Sequence, residues 1–174
     1  MKRNFNFLIC LILFVSLLST SCSVETEKHE IVTPVLELKA VGPLFEGSNT
    51  STATWEFTLE ELFPTIEGEV IIEKARITAI QVKPKSNLDL PKISKMVMEM
   101  KSKYTKMNRI GLLESNIQQD KTYDLQIADE QEEVDVAITD ERITFVGDFD
   151  MLDEDFYEDV IFDLQVSFEI ETRK

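Results

Sequence analysis

The stretch 160-VIFDLQVSFEIE-171 carries the strongest structural signal in the chain. Every second residue is large and apolar, and the residues between them are mostly polar or acidic. Strict alternation over this length predicts a β-strand with one buried face and one wetter face, as in an antiparallel sheet. The inward set is Val160, Phe162, Leu164, Val166, Phe168 and Ile170.

The same period of two recurs outward from this strand, which predicts strands along most of the chain. One long β-branched run changes phase between Ala79 and Ile80, and such a change predicts a bulge or a strand that crosses between sheets. Helix is expected only at 60–63 and 107–119, and a tight hairpin at 140–141. The other inward sets are Leu36, Leu38 and Ala40; Ala53, Trp55, Phe57 and Leu59; Met96, Met98, Met100 and Tyr104; Tyr123, Leu125 and Ile127; Val134, Val136 and Ile138; and Ile143, Phe145, Gly147 and Phe149.

Seven to eight strands in about 140 residues predict an all-β fold, an antiparallel β-sandwich that is Ig-like in the broad sense. A small β-barrel is the alternative. The length suits one domain, which we expect to cover residues 34–174.

The N-terminal segment has the order of features found in an export signal. Lys2 and Arg3 give a short positive start, and residues 5–18 are almost entirely apolar. Small residues follow at 19–21, directly before Cys22. This order predicts a signal peptide over 1–21, and the apolar run is too short for a comfortable transmembrane helix.

The sequence 18-LSTSC-22 resembles the lipobox of bacterial lipoproteins, although Ser19 stands where the motif has an aliphatic residue. The resemblance implies that Cys22 becomes the mature N-terminus and is acylated, for example with palmitate. Two or more acyl chains hold a protein stably on a bilayer. The implied location is the bacterial cell envelope, anchored to the outer membrane, with the periplasmic or surface face undetermined. A plain secretory signal cut near Ser21 is the alternative.

Residues 22–33 are predicted to be the lipidated cysteine and a tether. The segment after Cys22 is polar and shows no periodicity. The only other cysteine, Cys10, would leave with the signal, so the mature domain would contain no disulfide and would depend on its core.

Composition argues against most catalytic chemistry and against nucleic-acid binding. The net charge is −15, whereas nucleic-acid binding needs a basic face. The only histidine, His29, lies in the predicted tether, so a histidine-based triad or zinc site is not expected in the domain. We therefore expect no enzyme activity, with a hydrolase that uses two carboxylates as a minor possibility.

Charge is unevenly distributed along the chain. Residues 74–109 contain ten Lys or Arg and two acids, whereas 124–163 contain sixteen acids and one base. The two segments are expected either to pair across strands or to form two poles.

An acidic stretch, 147–159, is the one candidate ligand site. If it is a loop, Asp148, Asp150, Asp153 and Asp155 could supply oxygens to calcium, although their spacing is not that of an EF-hand. The simpler interpretation is a solvated acidic hairpin that discourages aggregation.

These observations favour a membrane-anchored, non-catalytic binding or accessory module of the cell envelope, held in the bilayer by acylated Cys22. Its partner could be another envelope protein. No cofactor is expected, with calcium as the possible exception. The alternative is a calcium-stabilised structural or adhesive domain.

Overall fold

The computed structural model describes residues 25–85 and 89–173, so the predicted signal peptide, Cys10 and Cys22 lie outside the described residues. Most of the described chain is in β-strands. The elements are β1 Thr26–Val32, β2 Leu36–Ala40, β3 Leu44–Glu56, α1 Leu59–Leu62, β4 Ile72–Pro84, β5 Ile93–Lys101, β6 Asn108–Glu114, β7 Tyr123–Asp124, β8 Gln126–Ile127, α2 Val134–Thr139, β9 Arg142–Phe156 and β10 Val160–Arg173.

Strand β10 confirms the prediction made from its alternation. The six predicted inward residues are all buried, and the residues between them are half-buried because strands flank β10 on both sides. β4 pairs along one edge, and β1 followed by β2 pairs along the other. All these pairings are antiparallel, which confirms the all-β, antiparallel prediction.

The described strands form one continuous, nearly closed sheet. Its path is β7-β4-β10-β2-β3-β9-β5-β6-β8, with β1 added beside β10. The two ends of this path, β7 and β8, are separated only by Leu125. One short segment therefore pairs with β4 on one side and with β6 on the other. Two further backbone bonds join it to both edges: Leu125 N donates to Ile80 O (2.9 Å), and Ala128 N donates to Ile110 O (3.0 Å).

The inner face of this sheet is a continuous apolar core. Phe149 on β9 contacts Phe162 on β10 edge to face, with ring centroids 5.8 Å apart. Trp55 on β3 stacks near Phe168 on β10, also at 5.8 Å. In the sheet, two strands separate β9 from β10 and one separates β3 from β10, so these contacts pack the interior rather than join adjacent strands.

The predicted bulge in β4 and the predicted helix near residue 60 are both confirmed. The pairing of β4 with β10 skips Thr78, one residue before the expected phase change. Helix α1 begins after Thr58, whose side chain accepts from Glu61 N while the Glu61 carboxylate accepts from Thr58 N. This reciprocal capping stabilises a helix too short to form alone.

The strand predicted at Val134, Val136 and Ile138 is wrong, because this segment is helix α2. Val134, Ala137 and Ile138 are buried, at the spacing of one helical face, while Val136 points outward. The predicted hairpin at 140–141 is the end of this helix. Over six residues, apolar positions fit periods of both two and 3.6, and packing against β4 and β9 decides between them.

The helix predicted within 107–119 is also wrong, because Asn108–Glu114 is strand β6. Ile110 is an extra residue in the pairing with β5, since Met98 lies opposite Gly111 and Glu99 opposite Arg109. The bulge breaks the alternation and leaves buried residues with helix-like spacing. Tyr104, predicted to face inward after Met100, lies beyond the end of β5 and is 68% exposed.

The predicted tether is a strand over Thr26–Val32, paired with Ser167–Arg173 of β10. The chain then turns inward at Thr33, which is buried. Thr33 N donates to Val166 O (2.9 Å), and Thr33 Oγ1 accepts from Val166 N (3.1 Å). Alternation failed to reveal β1 because its inward positions include His29 rather than only large apolar residues.

Each end of β10 has a distinct neighbourhood. Val160 lies beside Ala40, where the β2–β3 and β9–β10 connections meet, and Arg173 lies beside Thr26, where the described chain begins. Along a strand, these ends are about 40 Å apart. In the described ranges, neither helix is long and apolar enough to cross a bilayer.

Candidate functional site

The aspartates predicted to bind calcium lie on a strand rather than in a loop, which corrects the basis of that prediction. All four belong to β9, which pairs with β3 on one side and β5 on the other. Phe149 and Met151 point inward, so Asp148 and Asp150 point outward between them. Seven acidic residues in thirteen indicated a loop, but the apolar residues between them carry the strand's alternation.

The aspartates are also bound to different neighbours. Asp148 accepts a short hydrogen bond from Ser48 Oγ. Asp153 accepts from Lys92 N (2.8 Å) and lies 3.5 Å from Lys92 Nζ. Asp155 accepts from the Tyr157 hydroxyl (2.9 Å). Among residues 25–85 and 89–173, no three Asp, Glu, His or Cys side chains are arranged to hold a metal ion.

A charged groove of about 490 Å³ lies on the outer face of β1, β10 and β4. Two carboxylates on the central strand β10 form its floor, and bases from both flanking strands extend over them. Its lining residues are Lys28, Glu73, Lys74, Ala75, Arg76, Asp135, Glu169 and Glu171.

Strand register brings these charges together. Glu171 lies between Lys28 on β1 and Lys74 on β4, and Glu169 lies opposite Arg76 on β4. Lys28 Nζ lies 3.3 Å from Glu169 and 3.2 Å from Glu171. Arg76 Nε and Nη2 both lie 3.0 Å from the same Glu169 oxygen. The two β10 carboxylates are therefore held by bases from the strands on either side.

The ion pairs shift the pKa values of the groups that form them. The hydrogen bond from Arg76, and then that from Lys28, lowers the pKa of Glu169 below its usual 4.5. The hydrogen bonds to Glu171 and Glu169 raise the pKa of Lys28 above its usual 10.5. Lys28 and Arg76 are exposed, and Glu169 and Glu171 are only half-buried, so each pair contributes little by itself and the network matters more than any one member.

Side chains on both faces of β1 hold it to the sheet. Lys28 bridges from β1 to two β10 carboxylates, and His29 Nε2 lies 2.9 Å from Thr172 Oγ1 on the neighbouring strand. The His29 ring packs edge to face on Phe63, with centroids 5.0 Å apart. The sequence analysis missed this groove because it assigned Lys28 to a tether. The sequence signals that pointed toward the groove were the alternation of β10 and the basic residues of β4.

The uneven charge along the chain is only partly neutralised between its two segments. Lys92 of the basic segment pairs with Asp153 of the acidic one. Arg76 and Lys85 instead pair with Glu169 and Glu37, which lie outside the acidic segment. Within residues 25–85 and 89–173, several carboxylates of β9 and of the segment that follows it form no ion pair.

A scan of the chain against models of known protein families gives no match. A search of curated proteins finds none with significant sequence similarity.

Proposed function

We propose that the chain is a lipoprotein of the bacterial cell envelope that acts as a non-catalytic binding or accessory module. Acylated Cys22 would anchor it to the outer membrane. The apolar interior of the sheet is the observation that supports a non-catalytic function. Aromatic and aliphatic side chains from opposite walls meet there, so a ligand would have to bind on the outer surface.

We also infer that the sheet is a small barrel rather than a two-sheet sandwich. The segment that pairs with both β4 and β6 supports this choice, because a closed sheet leaves no free edge at that point. A barrel filled with side chains has no lumen for a ligand, which again favours recognition on its outside.

The lipid anchor is tested by growing expressing cells with an alkyne-modified palmitate. We expect the chain to be labelled and membrane-bound, and Cys22→Ser to lose the label and become soluble. Cys10→Ser is the matched control and should keep both properties, since Cys10 would be removed with the signal. Labelling that survives Cys22→Ser would contradict the proposed anchor.

The binding function is tested by cross-linking in intact cells and affinity purification of the tagged, lipidated chain. We expect a stoichiometric protein partner whose recovery falls as salt rises, because the acidic surface interacts by charge. We expect no nucleic acid. Recovery of the chain alone at low salt would contradict the proposal.

The calcium-stabilised alternative makes a different prediction. Because the four aspartates are dispersed along β9, we expect the melting temperature to be equal in millimolar calcium and in EDTA. A calcium-dependent rise that Asp150→Asn removes would favour the alternative, since ligand binding stabilises the folded state by mass action.

A further inference from the structure

We propose that the end of the sheet farthest from the N-terminal strand binds a protein segment in which lysine or arginine flanks apolar side chains. This inference rests on the proposed binding function and names its surface. The surface is here called the tip. Its apolar part consists of Val41, Phe45 and Tyr157, which are all more than half exposed.

The tip is formed where two connections meet. Residues 41–43 join β2 to β3, and residues 157–159 join β9 to β10. A Cβ at Gly42 would lie only 2.6 Å from Tyr157 O and 2.7 Å from Glu158 O, so the two connections are in direct contact. Gly42 N donates to Asp159 Oδ1 (3.1 Å), and Lys39 binds the other oxygen of that carboxylate (2.6 Å).

Specific hydrogen bonds hold the Tyr157 ring and the backbone of Phe45 in place. Phe45 lies directly opposite Asp155 in the pairing of β3 with β9, and the Tyr157 hydroxyl donates to the Asp155 carboxylate (2.9 Å). The Asn49 side chain accepts from Phe45 N (3.3 Å) and donates to Phe45 O (2.8 Å). A side chain and a backbone segment that are held before binding lose less conformational entropy when a partner covers them.

The rim of the tip carries uncompensated negative charge. Glu46, Glu154 and Glu158 are exposed, and none has an ion-pair partner within the described part of the chain. Two copies of the tip, or the tip and an anionic bilayer, would place like charges together. A basic segment would neutralise the rim while its apolar side chains cover the two rings. Charge complementarity therefore selects a basic, apolar protein segment.

The location of the tip suits a partner held away from the membrane. Strand β1 begins beside Arg173, whereas the tip adjoins Val160 at the other end of β10. With Cys22 only four residues before Thr26, a lipid anchor would hold the Arg173 end near the bilayer. The tip would then lie about 40 Å farther along β10.

The test places a photo-cross-linking phenylalanine analogue at position 45 of the full, lipidated chain in cells. The matched control position is Tyr104, an exposed aromatic near the opposite end of the sheet. We expect position 45 to cross-link a protein peptide that contains basic and apolar residues, and position 104 not to cross-link it. That peptide, once synthesised, should bind the purified chain, and Phe45→Ser or Tyr157→Ser should weaken binding about tenfold or more. Glu46→Gln with Glu158→Gln should weaken it further and reduce its salt dependence.

The outcomes separate this inference from the proposed function. Cross-linking from position 104 but not 45 would overturn the tip and leave a binding module intact. Cross-linking of position 45 to a second copy, to lipid, or to an acidic segment would overturn the proposed partner chemistry. A synthetic peptide that binds Phe45→Ser, Tyr157→Ser and Tyr104→Ser equally well would also overturn it, since contact with the rings would then be dispensable.

Discussion

At Gly147 the sheet has no room for a side chain. It lies on the inner face of β9, and a Cβ there would come within 2.8 Å of both Leu38 Cδ2 and Ser51 Oγ. Ser51 is buried and donates to Gly147 O (2.8 Å), so it cannot move away without losing that hydrogen bond. β2 and β3 can approach β9 this closely only because the position has no side chain.

We expect Gly147→Ala to destabilise the fold by about 1–3 kcal/mol, the usual cost of overpacking a core. Chemical denaturation would measure the change. Combining it with Leu38→Ala should cost less than the two single changes added together, because the second change removes the clash. Thr50→Ala, on the exposed face of β3, is the control and should change stability by less than about 0.5 kcal/mol. If Gly147→Ala were as stable as the unmodified chain, position 147 could not be as crowded as we infer.

Strand β1 is held to β10 by ion pairs as well as by backbone pairing. It pairs with β10 along one edge, and most of its side chains are exposed. Lys28 joins it to Glu169 and Glu171, while Arg76 holds Glu169 from the other side. The lowered pKa of Glu169 means that its ionised form stabilises the folded state. That contribution is complete above the usual pKa of 4.5 and is lost as the pH falls through the lower, folded-state pKa.

Glu169→Gln should therefore lower the melting temperature at pH 7, and the difference from the unmodified chain should vanish as the pH falls well below 4.5. Thermal melts across this range would measure it, and hydrogen exchange should show faster opening of β1 in the variant at pH 7. Glu30→Gln, directly opposite on β1, is the control, because Glu30 belongs to no ion pair within the described residues. A pH-independent effect of Glu169→Gln would indicate a packing role instead.

At the scale of the whole molecule, one short segment bridges the two edges of the nearly closed sheet. Residues 123–127 meet β4 on one side and β6 on the other. Leu125, between the two pairings, is buried, and its side chain packs near Gly111 of β6, while its N–H bonds to Ile80 O of β4. The two edges of the sheet are thereby joined through a single residue.

Leu125→Ala should destabilise the fold by about 2–5 kcal/mol, as other buried leucine truncations do. It should also speed hydrogen exchange in both β4 and β6, because both edges lose the same anchor. Leu36→Ala on β2 is the matched control; it removes a similar buried side chain but should leave β6 protected. Loosening confined to one edge, or equal loosening in both variants, would contradict a closing role for Leu125.

The sequence alone determined where strands with one apolar face would form. In β10 and β2 the buried side chains alternate along the whole strand, and in β3 and β5 they alternate from Ser51 and from Met96 onward. Burial of such a face requires a sheet. The acidic stretch was also visible in the sequence. The structural role of this stretch could not be predicted from the sequence, because a run of carboxylates is compatible both with a loop and with the outer face of a strand.

Only the tertiary structure decided the features that depend on distant neighbours. β1 is a strand because β10 offers an edge and two carboxylates to Lys28, and α2 is a helix because β4 and β9 pack against one of its faces. The bulge at Ile110 exists because β5 fixes its register. The charged groove and the tip each combine residues more than 100 positions apart. Local periodicity carries no information about such pairs, since strand register and connection geometry bring them together.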